Sequence, residues 1–462
     1  MTLFNNEIDY IRRLQIAPVR YDVVVVGGGT AGCCAAIASA MGGAGTLIVE
    51  NACFLGGSAS GGQVMPMMDS GVVKERESSV INLLLKSGMG REGYGAADRN
   101  GNDGWFNPEM LKFFLEDMYT GYGGHILYDT RFIDSVVRDG NIDGIIVSNR
   151  GGLKAIGAKY FIDCTGDADV AFRSGVPCFK GDGPDHANQA LTLRFMLGNI
   201  DLHRMSRYLK DIGETTLLEY PLIEIAASWQ DSNALSDIFR KGLEEGILKK
   251  EDGKYFQAFT VPGMEGVMSF NCPEIPEVCN ALRPEDINEA LITGRRMVKR
   301  LHKFLKAYIP GFENSFILST ASMPGIRESR RIKGKFVLTG GHYAEGARFE
   351  DAIARSAYPI DIHHAKHEKG LEMRAMDRGE FFEVPFRCLM PENIKNLLVA
   401  GRCISSTFSA QSSIRIQAVC RATGEAAGTA AAYCVKSGVS LSRIDGKIIR
   451  KIMEDRVAQG DV

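Results

Sequence analysis

The apolar run Tyr21–Val26 ends in four consecutive valines and meets the turn GGGTAG at once. An unbroken β-branched run closed by a turn predicts a strand buried on both faces. Small apolar residues at helical spacing from Gly29 to about Gly43 predict a helix, and TLIVE at 46–50 predicts a second buried strand. Residues 51–62, NACFLGGSASGG, read as a second glycine-rich loop. From Asn107-Pro108 the period turns helical through about residue 120, with proline suited to a first turn. Across 125–163, β-branched runs broken by Asp-Gly and Gly-Gly pairs predict an all-β region. Amphipathic helical stretches follow near 203–211, 234–246 and 285–307, and the charged, helix-forming composition of 201–310 reads as a second domain. NIKNLLVAG at 393–401 predicts another buried strand, and one long helix over roughly 412–436 follows.

The first turn carries chemistry. Gly27, Gly29 and Gly32 stand at GxGxxG spacing between strand and helix, and acidic Glu50 lies about twenty residues on. Gly27 permits the tight turn, Gly29 lets a pyrophosphate approach the backbone, and Gly32 lets the helix pack on the sheet. The helix, opened by Thr30 and Ala31, offers free N–H groups to phosphates, and Glu50 suits ribose hydroxyls while repelling a 2′-phosphate. A nicotinamide needs little beyond this unit. A flavin dinucleotide is longer and needs distant segments to converge. Three such segments are present: GGSASGG at 56–62, YFIDCTGDADVA at 160–171, and the strand, turn and helix of 396–434.

Composition narrows the class. The 462 residues allow two or three domains, and 45% hydrophobic with 24% charged residues is ordinary for a globular protein. A net charge of −2 argues against a nucleic-acid partner. Eleven cysteines without a CxxC pair read as reduced thiols of a cytoplasmic protein, and neither an export signal nor a membrane span is expected.

The stretches VVVVGGGTAG, AKYFIDCTGDADVA, MPGIRESRRIKGKFVLTG, FEVPFRCLMPENIKNLLVAGRCIS and ATGEAAGTAAA together resemble the FAD-dependent oxidoreductases of the glutathione-reductase-type fold, on the fumarate reductase and succinate dehydrogenase branch. The resemblance implies an α/β architecture: a Rossmann-like FAD domain over 19–185 and 385–440, an inserted α+β substrate or cap domain over 186–384, and a helical extension over 441–462. It implies that Gly27, Gly29, Thr30, Ala31, Gly32 and Glu50 hold the ADP half, and that Gly57 and Ser58 meet the pyrophosphate or ribityl chain. It puts Phe132 beside the adenine and Thr165, Gly166, Asp167 and Gly401 near the cofactor. The start of the last helix, Ser412, Ser413 and Ile414, would point N–H groups at the flavin. Relatives often have a histidine where this chain has Phe408.

A flavin enzyme also needs a group that orients substrate and one that moves a proton. Arg327, His342, Arg387 and Arg415 are the catalytic candidates, arginines near glycine turns suggesting an anion pocket. Arg330 and Arg331 read as an interdomain salt-bridge network or a solvated strand entry, and Cys164, Cys403 and Cys420 as buried packing. His363, His364 and His367 lie in polar PIDIHHAKHEKG and read as solvated, with no metal. The leading expectation is hydride transfer between bound FAD and a small anionic organic substrate. A flavin monooxygenase and a non-redox binding protein on the same fold are the alternatives. A homo-oligomer or an electron-acceptor partner is compatible with each.

Overall fold

A computed structural model describes residues 13–14, 21–68, 80–81, 84, 94–95, 102–183, 185–214, 216–276, 280–365, 371–377 and 379–458. The strand Tyr21–Val26 lies at the centre of a five-stranded parallel sheet, between Ala158–Asp163 and Thr46–Val49, with Leu397–Val399 and His125–Leu127 at the edges. Its alternation decides the layers. Val23 and Val25 join the core beneath the helix Thr30–Met41, while Val24 and Val26 face the antiparallel strands Arg131–Arg138, Asn141–Asn149 and Gly152–Ile156. All four are buried, so the run needs no polar face.

The helix Thr30–Met41 packs against the long helix Gln417–Ser437. A Cβ at Gly424 would stand 2.1 Å from the Ala31 carbonyl oxygen, and one at Gly428 would stand 2.0 Å from that of Ala35. Two glycines one turn apart thus let the backbones touch, which brings the C-terminal stretch onto the N-terminal fingerprint.

The region 201–310 holds more strand than its composition suggests. Helices Leu202–Asp211, Ala234–Glu244 and Pro284–Tyr308 are present. They pack on an antiparallel six-stranded sheet with Leu218–Glu219 and Phe316–Thr320 at its edges. Period-two alternation divides its faces. Phe195, Leu197, Ile223, Ile225, Phe256, Ala258, Met268 and Phe270 enter the helix-side core. Met196, Glu224, Gln257, Phe259 and Ser269 occupy the opposite, inner face.

The expected helix over 412–436 is two helices. Phe408–Ile414 is capped by Thr407, Ile416 goes extended, and Gln417–Ser437 begins anew. Ile414, Ile416 and Val419 stay buried across the break, so the apolar pattern does not register it. No helix of the described residues is long and apolar enough to cross a membrane.

Candidate active site

The glycine turn forms a cradle with distinct tolerances. Gly27 has φ +96°, and a Cβ there would lie 2.5 Å from the Cys164 carbonyl oxygen; at Gly32 a Cβ would lie 1.7 Å from that of Gly27. Gly29 differs: its backbone is ordinary extended, and the nearest atom to a Cβ is the Gly57 Cα at 3.9 Å. The space above Gly29 is open. The helix that starts there has no side-chain cap and no acid in its first turn, and the Thr30 hydroxyl is buried without a partner. Glu50 accepts from the Gly28 and Ala52 N–H groups, both at 2.6 Å, and burial pushes its carboxyl up. The Thr130 N–H donates to the Glu50 carbonyl at 3.0 Å, and half-buried Phe132, two residues further along, packs against the core that holds Val24 and Val26.

The other two glycine segments close on the same place. Gly57 has φ +53°, and the Ser58 carbonyl accepts from the Val64 N–H at 3.0 Å, folding the second loop back on itself. Thr165 donates its N–H and hydroxyl to Asp163, which burial raises to about 6. Gly166 has φ +80° and lies against the Arg402 guanidinium. Asp167 receives Arg402 Nη2 at 2.6 Å and the Ser329 hydroxyl at 2.5 Å. A Cβ at Gly401 would sit 3.1 Å from the Ala31 Cβ. Arg402 Nη1 is buried and unpartnered. An uncapped helix, an open Gly29 and two unpartnered donors, Thr30 Oγ1 and Arg402 Nη1, fit the pyrophosphate of a dinucleotide.

Gln411 links this cradle to a second cluster, its Nε2 donating to the Arg402 carbonyl at 3.4 Å and the Arg327 carbonyl at 2.8 Å. At the cluster's centre is His363. Its Nδ1 meets Glu274, and its Nε2 lies 3.1 Å from Asp361 Oδ1. Arg327 pairs with Glu274 at 3.1 Å and Arg415 pairs with Asp361 at 2.9 Å. Tyr358 donates its hydroxyl to Asp361, and the Tyr255 ring stands edge-on to His363. Burial opposes ionisation of both carboxyls, but His363 and Arg327 outweigh it and take Glu274 down to about 2. Asp361 also falls below the usual range, burial being overcome by His363 and Arg415. Burial pushes the Tyr255 and Tyr358 phenols well above theirs.

A carboxylate held this low contributes stability above its ordinary pKa of 4.5 and loses it as the pH falls towards 2. At roughly 1.4 kcal/mol for each tenfold change in ionisation constant, Glu274 contributes about 3 kcal/mol at neutral pH. Thermal melting across that range should show a steep loss of stability in the native protein. A Glu274→Gln variant should melt lower at neutral pH and lack that part of the slope.

Residues 22–453 match the family described as FAD dependent oxidoreductase. The chain belongs to this family. It is an enzyme, its cofactor is FAD, and its parallel-sheet unit is the Rossmann-like FAD domain of the family. No curated protein matches the sequence. Among solved structures, a geranylgeranyl bacteriochlorophyll reductase-like protein from Thermoplasma acidophilum shares 14% identity over 94% of this chain and 83% of its own, with a TM-score of 0.45. A p-nitrophenol 4-monooxygenase from Pseudomonas putida shares 11% identity over 95% and 87%, with a TM-score of 0.45. The flavin-dependent brominase Bmp2 shares 13% over 96% and 84%, with a TM-score of 0.42. At these scores none assigns a reaction to this family member.

The structure gathers some catalytic candidates and separates others. Arg327 and Arg415 meet in the cluster. Arg387 instead pairs with Asp351 at 3.0 Å over the Phe336 ring, and His342 caps its own short helix through Thr339 between Phe336 and Phe349. Ser412, Ser413 and Ile414 occupy the last turn of a short helix, not the first turn of the long one, so the uncapped helix start falls at Gln417. The Ser412 hydroxyl accepts from the Asp361 N–H, and that of Ser413 donates to the Tyr358 carbonyl. The reading of His363 as solvated is corrected: it ends the strand Ile360–His363 and is buried. His364 is partly buried near Glu372, and His367 lies outside the described residues. Arg330 pairs with Asp169, Arg331 with Glu328, and Cys164, Cys403 and Cys420 are buried. Phe408 lies beneath the Arg331 guanidinium. Sequence reasoning missed Glu274, Tyr255 and Tyr358. The alternation of Ile360 and Ile362 with Asp361 and His363 was the available signal that this stretch is a strand.

Proposed function

We propose that this FAD-dependent oxidoreductase exchanges a hydride with a small anionic organic substrate bound between the 56–64 loop and the Arg327–His363–Arg415 cluster. The observation that supports proton handling beside the cofactor is the cluster itself: a buried imidazole between two carboxylates, each with its own arginine, joined to the cofactor cradle through Gln411. The two arginines offset both carboxylates, so a protonated His363 leaves the cluster with a net positive charge facing a substrate. FAD, when bound, supplies the two-electron chemistry. The chain's residues do the rest. The 19–185 and 385–440 segments hold the cofactor, the inserted 186–384 segment brings the substrate wall, and 441–462 extends the fold. This assignment keeps the chain on the fumarate reductase and succinate dehydrogenase branch, on the sequence stretches quoted above.

His363 can hold or pass a proton without leaving its place. With a proton on each nitrogen it serves both carboxylates; with one, Arg327 or Arg415 keeps the other carboxylate balanced. Tyr255 and Tyr358 stay protonated and act as hydroxyl donors. The test uses pairs of compounds with one carbon skeleton, one member a carboxylic acid and the other its amide. Acids should bleach the oxidised flavin or recolour the reduced flavin anaerobically, and their amides should not. An equal response to both members of each pair would refute an anionic substrate.

A further inference from the structure

One buried cation remains unbalanced. Arg194 precedes the strand Phe195–Gly198, and alternation turns it away from Leu193 and Phe195, which join helix-side cores, towards the inner face of the six-stranded sheet. It is 2% exposed. Its Nη2 reaches the Ser269 hydroxyl only at 3.5 Å, and its Nε is buried with no partner. Arg327, Arg331 and Arg415 each face a carboxylate; among the described residues Arg194 faces none. Burial lowers its pKa to about 10, and Arg327 is near enough to lower it further, yet it stays charged at neutral pH.

A buried guanidinium without a counter-charge is expensive. A chain that keeps one gains if an anion completes it in the working state. The same face shows a second unfinished group. Gln63, from the cofactor loop, donates to the Ser319 hydroxyl at 2.8 Å, and Ser319 pairs in register with Met196. The Gln63 Oε1 is buried and unpartnered. Two polar atoms without partners, one from the cofactor loop and one from the sheet, thus belong to the same inner face.

We infer that Arg194 is the residue that binds the substrate's carboxylate, its planar fork matching the two oxygens, while Arg327 and Arg415 are neutralised within the cluster and position His363. This rests on the functional reading above and names the specificity-determining contact within it.

The experiment uses the FAD-loaded protein, the Arg194→Met and Arg194→Lys variants, and two probes, acetate and acetamide. Binding is read from the change in the visible flavin spectrum, and stability from thermal melting without probe. Arg194→Met should bind acetate at least tenfold more weakly, bind acetamide unchanged, keep its flavin, and melt no lower than the native protein, because methionine removes an unpaired buried charge. Arg194→Lys should recover part of the acetate affinity. Unchanged acetate binding in Arg194→Met overturns the inference. So does a fall in melting temperature or a failure to fold, which marks a structural arginine, and so does loss of flavin, which assigns the guanidinium to the cofactor. The acid and amide comparison is made on the native protein, so failure here leaves the anionic-substrate reading standing, whereas failure there removes it independently.

Discussion

Gly29→Val should yield a folded protein that purifies without colour. The backbone at Gly29 has φ −77° and ψ −165°, an extended conformation with negative φ rather than one reserved for glycine. Its Cβ meets nothing closer than the Gly57 Cα at 3.9 Å. The isopropyl group is expected to project into the space at the start of the uncapped helix, where the pyrophosphate would lie. Affinity for FAD should fall by about 100-fold or more, roughly 3 kcal/mol, while the circular dichroism and melting of the flavin-free protein stay unchanged. The flavin-to-protein ratio after gel filtration reports the outcome. Gly32→Val is the contrast, since a Cβ there lies 1.7 Å from the Gly27 carbonyl oxygen and the turn itself must break. A Gly29→Val protein with a full complement of flavin would move the pyrophosphate elsewhere.

Asp361→Ala should be the most damaging single change in the cluster. The carboxylate balances Arg415, meets His363 and accepts from Tyr358. Removing it leaves a buried guanidinium uncompensated, at a cost of about 3–5 kcal/mol. That is a large share of the roughly 5–15 kcal/mol that holds a domain together. Urea denaturation of native and variant protein at neutral pH measures it. A difference below about 1 kcal/mol would place the pair among weakly coupled surface pairs. Asp361→Asn keeps the shape and loses the charge, so its loss should be smaller.

The cofactor half of the protein was legible in the sequence because its determinants are local. GxGxxG needs only a strand, a turn and a helix in succession, and Val23–Val26 and TLIV supply both strands on either side. The helix start at Asn107-Pro108 was equally local, with Asn107 accepting from the Glu109 and Met110 N–H groups. The six-stranded sheet was hidden by its own inner face. Glu224 and Gln257 interrupt apolar strands and bond to each other across the sheet, which lowers the apolar count while preserving the alternation in LIEIAA and FQAFT. The cluster was least legible. Glu274, Arg327, His363 and Arg415 come from four separate stretches, and each looks ordinary in its own. The break at Ile416 could not be seen either, because Ile414, Ile416 and Val419 are buried on both sides of it.

On this reading the FAD-bound enzyme takes a hydride from, or gives one to, a carboxylate-bearing substrate without oxygen taking part. A panel of small saturated, unsaturated and keto carboxylic acids is mixed anaerobically with the oxidised and, separately, with the reduced holoenzyme and followed at the visible flavin band. At least one acid should bleach the oxidised flavin or recolour the reduced one, and leave a product differing from it by two electrons. Contradiction would come if no acid changed the flavin in either state, and if the enzyme instead required a nicotinamide reductant and oxygen together before any substrate was consumed.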